Sequence, residues 1–285
     1  MAMLLSADVD VIDLLAKERA QLLSLLTDLS TEEWAAATEC PAWSVKGIAL
    51  HLVGDDISLL SRQRDAEPPG VVVDAQGQGW DELMASFDRF NEQWVETASF
   101  LSPLMVTNLL RVTGDWTHQW YASVDPHRLG ETIHWISPTD PQPYWLLAAR
   151  EYLERWIHHL QIRRAVNRPG LADAGYVIPA VAITMRGFPQ GLARIAAEPG
   201  TTVTFSITGA DASWTLQRTT DGWALHDGAP AQPSVRLGFS LESAAQVFSR
   251  GLLRSDVERH VTVEGEPDLG VMLVAGLAAF FGREQ

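Results

Sequence analysis

The spacing of apolar residues changes once along this chain, and that change limits the folds open to it. Up to about residue 197 apolar residues recur at steps of three and four; from Val203 onward they alternate with polar ones. A step near 3.6 collects side chains on one face of a helix, and a step of two collects them on one face of a strand. The expected fold class is therefore α followed by α+β: an up-and-down four-helix bundle over residues 1–172 and a small α+β domain over 173–285. With 285 residues, 46% of them hydrophobic and 20% charged, the chain can bury a core in each part.

In the helical part, Val11, Leu14, Leu15, Leu22, Leu25 and Leu26 predict an amphipathic helix from Val9 to Leu26. Ser30 and Glu33 have the spacing of a capping box. Pro41 then breaks the pattern, and Ser44 is a good N-cap for a helix carrying Val45, Ile48, His51, Leu52 and Asp55. Ala66 to Gly79, rich in Pro, Gly and Gln, reads as a loop with a few extended residues at Val71 to Val73. Leu83, Phe87, Phe90, Trp94 and Ala98 predict the third bundle helix. From Thr113 to Pro143 glycines and prolines mix with Trp116, Trp120, Tyr121 and Trp135, which predicts a long structured loop lying over a site. The fourth long helix runs from Tyr144 to Val166, stopped by Asn167, Pro169 and Gly170.

Helical spacing then continues to about Ala197. Alternation at Val203–Ile207, Trp214–Leu216, Trp223–Leu225, Val235–Leu237 and Val261–Val263 predicts strands, with Asp221-Gly222 as a hairpin turn. Helices over Leu241–Leu253 and Asp268–Phe281 are expected to cover one face of their sheet. No internal repeat interrupts this order.

The net charge of −15 opposes binding to nucleic acid or to an anionic bilayer. The N-terminal MAMLLSADVD lacks the basic and long apolar regions of a secretion signal, and the apolar run from Leu269 to Phe281 is too short for a membrane span. A cytoplasmic protein is expected. Cys40 is the only cysteine, so any metal must be held by His and carboxylates. Neither a glycine-rich phosphate loop nor a G-x-S-x-G elbow is present.

Glu154 and His158 stand four apart on the fourth helix, so their side chains emerge side by side and can grip one ion. Each alone has a plain reading, a solvated pair for these two and a core residue for His51. Together they are two His and one Glu on two helices that a bundle places across a shared interior, the ligand set of a metal site with open positions. Asp55 and Glu151, one turn from His51 and Glu154, are candidates to support the ligands or to stand as plain carboxylates. His159 is expected on a different face. His118, His127 and His134 remain alternative ligands if their loop folds inward. Cys40 is read as structural, and Trp116, Trp120, Trp135 and Trp145 either line a pocket or pack the loop onto the bundle.

The stretch Thr38 to Val45, with Cys40-Pro41-Ala42-Trp43-Ser44-Val45 leading to His51-Leu52, resembles the first signature of the mycothiol-dependent maleylpyruvate isomerase family. The run Ala149 to Arg163, with Glu154, Trp156, His158, Gln161 and Ile162, is similar to its second signature. Ala42 replaces a usual Gly, and Gln161 stands where Asp is common. The resemblance implies a DinB-like bundle holding a divalent metal through His51, Glu154 and His158, usually zinc, with iron or nickel as alternatives. It also implies a C-terminal domain like sterol carrier protein.

The function that follows is an enzyme using a low-molecular-weight thiol, mycothiol or similar, for isomerisation or S-transfer on a small electrophile. In that reading the three ligands are the only catalytic-site residues assigned, and the aromatic loop and C-terminal domain shape the electrophile pocket. A metal-assisted hydrolase with Asp55 or Glu151 as base, an iron-dependent oxidase and a non-catalytic small-ligand-binding module are the alternatives. Partners are a small-molecule substrate and the thiol, in a monomer or homodimer.

Overall fold

The computed structural model describes residues 4–5, 7–70 and 80–284; Val71 to Val73, where extended residues are expected, lie outside them. The chain divides into two units. One holds Val11–Thr132 and Pro138–Arg168; the other holds residues up to Asp10, the segment Ile133–Ser137 and the chain from Pro169 on.

The second unit begins with a two-residue strand, β1 (Leu4–Leu5). The helical unit then contains α1 (Ile12–Thr27), α2 (Thr31–Ala35), α3 (Val45–Leu59), α4 (Trp80–Thr97), α5 (Pro103–Ser123), the short strands β2 (Leu129–Thr132) and β3 (Pro141–Pro143), and α6 (Tyr144–Ala165). The helix starts follow local chemistry. The capping box at α2 is complete, with Ser30 Oγ accepting from Glu33 N and Glu33 accepting from Ser30 N. Ser44 accepts from Gly47 N at the start of α3, and Ser102 accepts from Met105 N at the start of α5, followed by Pro103.

Among the described residues the helical unit has five long helices, and the four that build the bundle, α1, α3, α5 and α6, are not the four the apolar spacing suggests. Thr113 to Ser123, expected as loop, are the second half of α5, and α5 packs against both α1 and α3. It takes the place expected for α4, which packs mainly on α3. The core is built from Leu22, Leu25 and Leu26 of α1, Ile48, Leu52 and Val53 of α3, Val106 and Leu110 of α5 and Ile162 of α6. Each such side chain taken out of water stabilises by about 1.5–3 kcal/mol.

In the second unit, α7 (Ala174–Met185) and the short α8 (Phe188–Gly191) precede β4 (Thr202–Ile207), β5 (Ala212–Arg218), β6 (Trp223–Asp227) and β7 (Val235–Phe239). Then come α9 (Leu241–Phe248), β8 (Thr262–Gly265) and α10 (Pro267–Phe281). The sheet order is β1-β6-β5-β4-β7-β8, antiparallel except for the parallel pair β4–β7. Helix ends before Ala197 and before Leu253, earlier than the spacing implies. Asp221-Gly222 turns between β5 and β6, with Gly222 at φ 154°, a value that favours glycine. Phe205 and Phe239 of the sheet meet Phe188, Phe248 and Phe281 of the helices in one aromatic core. Among the described residues no helix is long and apolar enough to cross a membrane.

Candidate metal centre

His51 lies on the inner face of α3, and Glu154 and His158 project from adjacent turns of α6. One ligand atom of each lies within 4.8 Å of the others. His158 Nε2 is 3.1 Å and His51 Nε2 3.5 Å from the same oxygen, Glu154 Oε1. Both histidines are buried, and the Glu154 side chain keeps 34% of its exposure, so the cluster opens toward solvent through its carboxylate. The two imidazoles meet edge to face with centroids 4.7 Å apart, and the Trp43 indole stacks on His51 at 4.7 Å and 25°.

The atoms facing one another make this arrangement costly unless a positive charge sits among them. His51 Nε2 is buried and has no hydrogen-bond partner, a state most buried nitrogens avoid. Burial works against charge on His158, yet Cys40 and Glu154 beside it push its pKa up to about 10. Burial likewise opposes charge on Glu154, but the hydrogen bond from His158 and the His51 ring 3.5 Å away hold its carboxyl well below the usual range. A divalent cation that displaced the His158 proton would meet two ring nitrogens and one carboxylate around a point with an open side, a donor set that fits such an ion.

The turn before α3 completes one wall. Trp43 N donates to Cys40 O, and Thr38 Oγ1 donates to Trp43 O, closing the Cys40–Trp43 turn. Ala42 is not among the residues with positive φ, so the turn does not need the glycine that the family signature carries there. Arg164 of α6 grips Glu39 with Nε 2.7 Å from Oε1, and Cys40 Sγ lies 3.4 Å from Gln161 Oε1. Gln161 Oε1 is also 2.8 Å from His158 Nδ1.

Beneath the cluster runs a buried charged seam. Asp56 of α3, with no exposure, accepts from Arg19 of α1, Arg155 of α6 and Thr113 of α5. Arg155 and Arg150 both donate to Glu151, whose carboxyl burial and the neighbouring Asp55 push up to about 8 against the pull of the two arginines. Asp55 Oδ2 is buried without a partner. His159, fully buried, pairs with Glu18 at 2.8 Å and accepts from Arg163, a structural role on a separate face of α6.

The loop histidines stay out of the cluster. His118 lies on α5 beside a cleft lined by Arg19 and Arg111, His127 is exposed, and His134 belongs to the segment 133–137 of the other unit. Trp120 packs edge to face on Tyr144, and the Trp135 ring lies against Gly187. The aromatic residue at the cluster is Trp43, and the missed contacts are those of Gln161 and Cys40. Gln161 stands three residues after His158 on one helix, a spacing that places the two side chains together.

The family model described as mycothiol maleylpyruvate isomerase N-terminal domain matches residues 15–163, more than half of the chain. Two solved structures of mycothiol-dependent maleylpyruvate isomerase, one of them a histidine-to-alanine mutant, share the fold. They superpose with a TM-score of 0.55 at 14% and 13% identity, covering 90% of this chain and 92% of theirs. A comparison with curated proteins finds no match.

Proposed function

Because the chain belongs to the mycothiol maleylpyruvate isomerase N-terminal domain family, we propose that it is a metal-dependent enzyme that uses a low-molecular-weight thiol on a small electrophile. The observation that carries the reading is the meeting of His51 Nε2, His158 Nε2 and Glu154 Oε1, with His51 Nε2 otherwise unpartnered. His51, Glu154 and His158 would hold one divalent cation, zinc by preference. Such an ion supplies a lowered thiol pKa, so that thiolate is available near neutral pH.

The chain's own groups supply the rest. Trp43 holds the His51 ring by stacking and keeps water from its face. Arg155 and Asp56 tie α6 to α3 directly below the ligands, which fixes the distance between the two histidines. Addition of the thiol sulfur to a carbon–carbon double bond, rotation about the resulting single bond and expulsion of the thiol give isomerisation. Displacement of a leaving group by the same sulfur gives S-transfer.

Metal-assisted hydrolysis is the second reading, favoured by Asp55 Oδ2, which is buried without a partner four residues after His51. The test is elemental analysis of chain purified without chelator, followed by turnover of maleylpyruvate with and without mycothiol. One zinc per chain, lost in His51→Ala and His158→Ala, with turnover only in the presence of thiol, is the expected result. Full metal content in both variants would remove the site, and turnover independent of thiol would favour hydrolysis.

A further inference from the structure

Whether His158 can offer Nε2 to a cation depends on which of its ring nitrogens carries the proton, and the structure contains a device that decides this. His158 is 93% buried, so its Nδ1 has no access to bulk water and takes its partner from the protein. That partner is Gln161 Oε1 at 2.8 Å. A second donor, the Cys40 thiol, reaches the same oxygen at 3.4 Å.

An amide oxygen accepts two hydrogen bonds, whereas an amide NH2 only donates. With Oε1 toward the histidine, both the thiol and the Nδ1–H are satisfied, so the proton that a cation displaces from the ring is the one on Nε2, and its lone pair becomes free for the ion. If the amide turned over, its NH2 would need the lone pair of Nδ1, the proton would move to Nε2, and the nitrogen facing Glu154 would be closed. The thiol opposes that turn, because it would exchange its S–H bond to the amide oxygen for the weaker accepting role of sulfur toward an N–H. The Cys40 turn is itself fastened to α6 by Glu39 and Arg164, one turn beyond the cluster, so the thiol stays where it can hold the amide.

We propose that Gln161 is a positioning residue: its carbonyl oxygen, kept in place by Cys40, fixes His158 with the proton on Nδ1 and a bare Nε2 turned toward Glu154 and His51. The proposal rests on the metal reading above and deepens it. Partners of this kind orient the ring and set ligand strength, and their loss commonly costs 10–100-fold in metal affinity. A neutral amide draws less on the Nδ1–H than a carboxylate would, so the ring is a weaker donor here than in a His–carboxylate pair.

The 285-residue chain is titrated with Zn2+ against a chromophoric chelator, in the wild type and in Gln161→Met, Gln161→Glu, Cys40→Ala and His158→Ala. Gln161→Met, similar in length with no strong acceptor, is expected to weaken Zn2+ binding roughly 10–100-fold, and Gln161→Glu to restore it to within about threefold of wild type or better. In the Zn2+-loaded wild type and Gln161→Glu, proton NMR should show a slowly exchanging imidazole N–H that is absent from Gln161→Met. Wild-type affinity in Gln161→Met, or failure of Gln161→Glu to restore binding, overturns the proposal. Should Gln161→Met not fold, Cys40→Ala decides: about threefold or more weaker Zn2+ binding supports the device, and no change overturns it. The metal reading fails separately, and the proposal with it, if wild type and His158→Ala bind Zn2+ equally or not at all.

Discussion

Asp56→Asn should unfold this protein far more readily than any surface charge change, and the cost follows from the contacts it breaks. The Asp56 carboxylate has no exposure and is 3.0 Å from Arg19 Nη1, bonded to Arg155 Nη2, and 2.7 Å from Thr113 Oγ1. The arginine side chains are 8% and 2% exposed. Asparagine keeps the shape but removes the charge and turns one acceptor into a donor facing guanidinium. Arg155 still has Glu151, at 3.1 Å, while Arg19 is left with the Leu110 carbonyl at 2.9 Å. Breaking a buried pair by removing one partner costs about 3–5 kcal/mol, against about 0–1 for an exposed pair. The expected loss is therefore about 4 kcal/mol, a large share of a typical total of about 5–15.

Urea unfolding followed by far-UV circular dichroism measures it. Adding Arg19→Met should recover at least about 1 kcal/mol, because no lone buried cation remains. Burial alone would raise the Asp56 pKa, but Arg19 and Arg155 outweigh it and lower it. Its contribution is thus present above the unfolded value near ~3.9 and is lost only as pH falls through the lower folded value. The gap between wild type and variant should stay level from about pH 5 to 8 and close in strong acid. A loss under about 1 kcal/mol at pH 7 would mean the seam is hydrated and would refute the reasoning.

Glu151 has the opposite pH signature: its folded pKa of about 8 lies above the unfolded value, so its contribution falls as pH rises through that window. Glu151→Gln should therefore gain on wild type between pH 5 and 9 in urea midpoints, and parallel pH profiles would contradict this. A Cβ at Gly54 would lie 2.5 Å from Trp94 Cδ1, and the Trp94 indole donates to Leu50 O at 2.7 Å. Gly54→Ala should lose about 1–3 kcal/mol to overpacking despite the better helix propensity of alanine, and a raised melting temperature would exclude that packing.

The parts of the fold that were readable in the sequence are those where burial is apolar and local signals agree. The box at Ser30 and Glu33, the cap at Ser44, the stripe of α1 and the alternating strands all state their structure within a few residues. At α5 the usual pattern is inverted. Its buried face is Val106, Thr107, Leu110, Thr113, Thr117 and Tyr121, while Leu104, Met105, Val112 and Trp116 are exposed. A reading that looks for an apolar stripe finds the wrong face, and Gly114 in its middle reads as a break. Ser102 followed by Pro103 is a legible start signal, and the apolar residues that follow it at helical steps, Met105, Leu109, Val112 and Trp116, lie on the more exposed face.

The inversion has a single physical cause, and it is also what places the candidate site. Thr113 and Thr117 face inward because Asp56 is there to accept from them, and Asp56 is there because Arg19 and Arg155 need a buried counter-charge. A periodicity argument sees each of these residues as polar and assigns it to the surface, whereas in the fold they satisfy one another across four helices. The meeting of His51, Glu154 and His158 was legible because they belong to two short motifs. Gln161 was read only by its identity, since its meaning lies in a contact with Cys40, 121 positions away in sequence. Side chains whose partners come from distant elements carry no local signal, and in this protein they are the ones that hold α3 against α6 and orient the histidines between them.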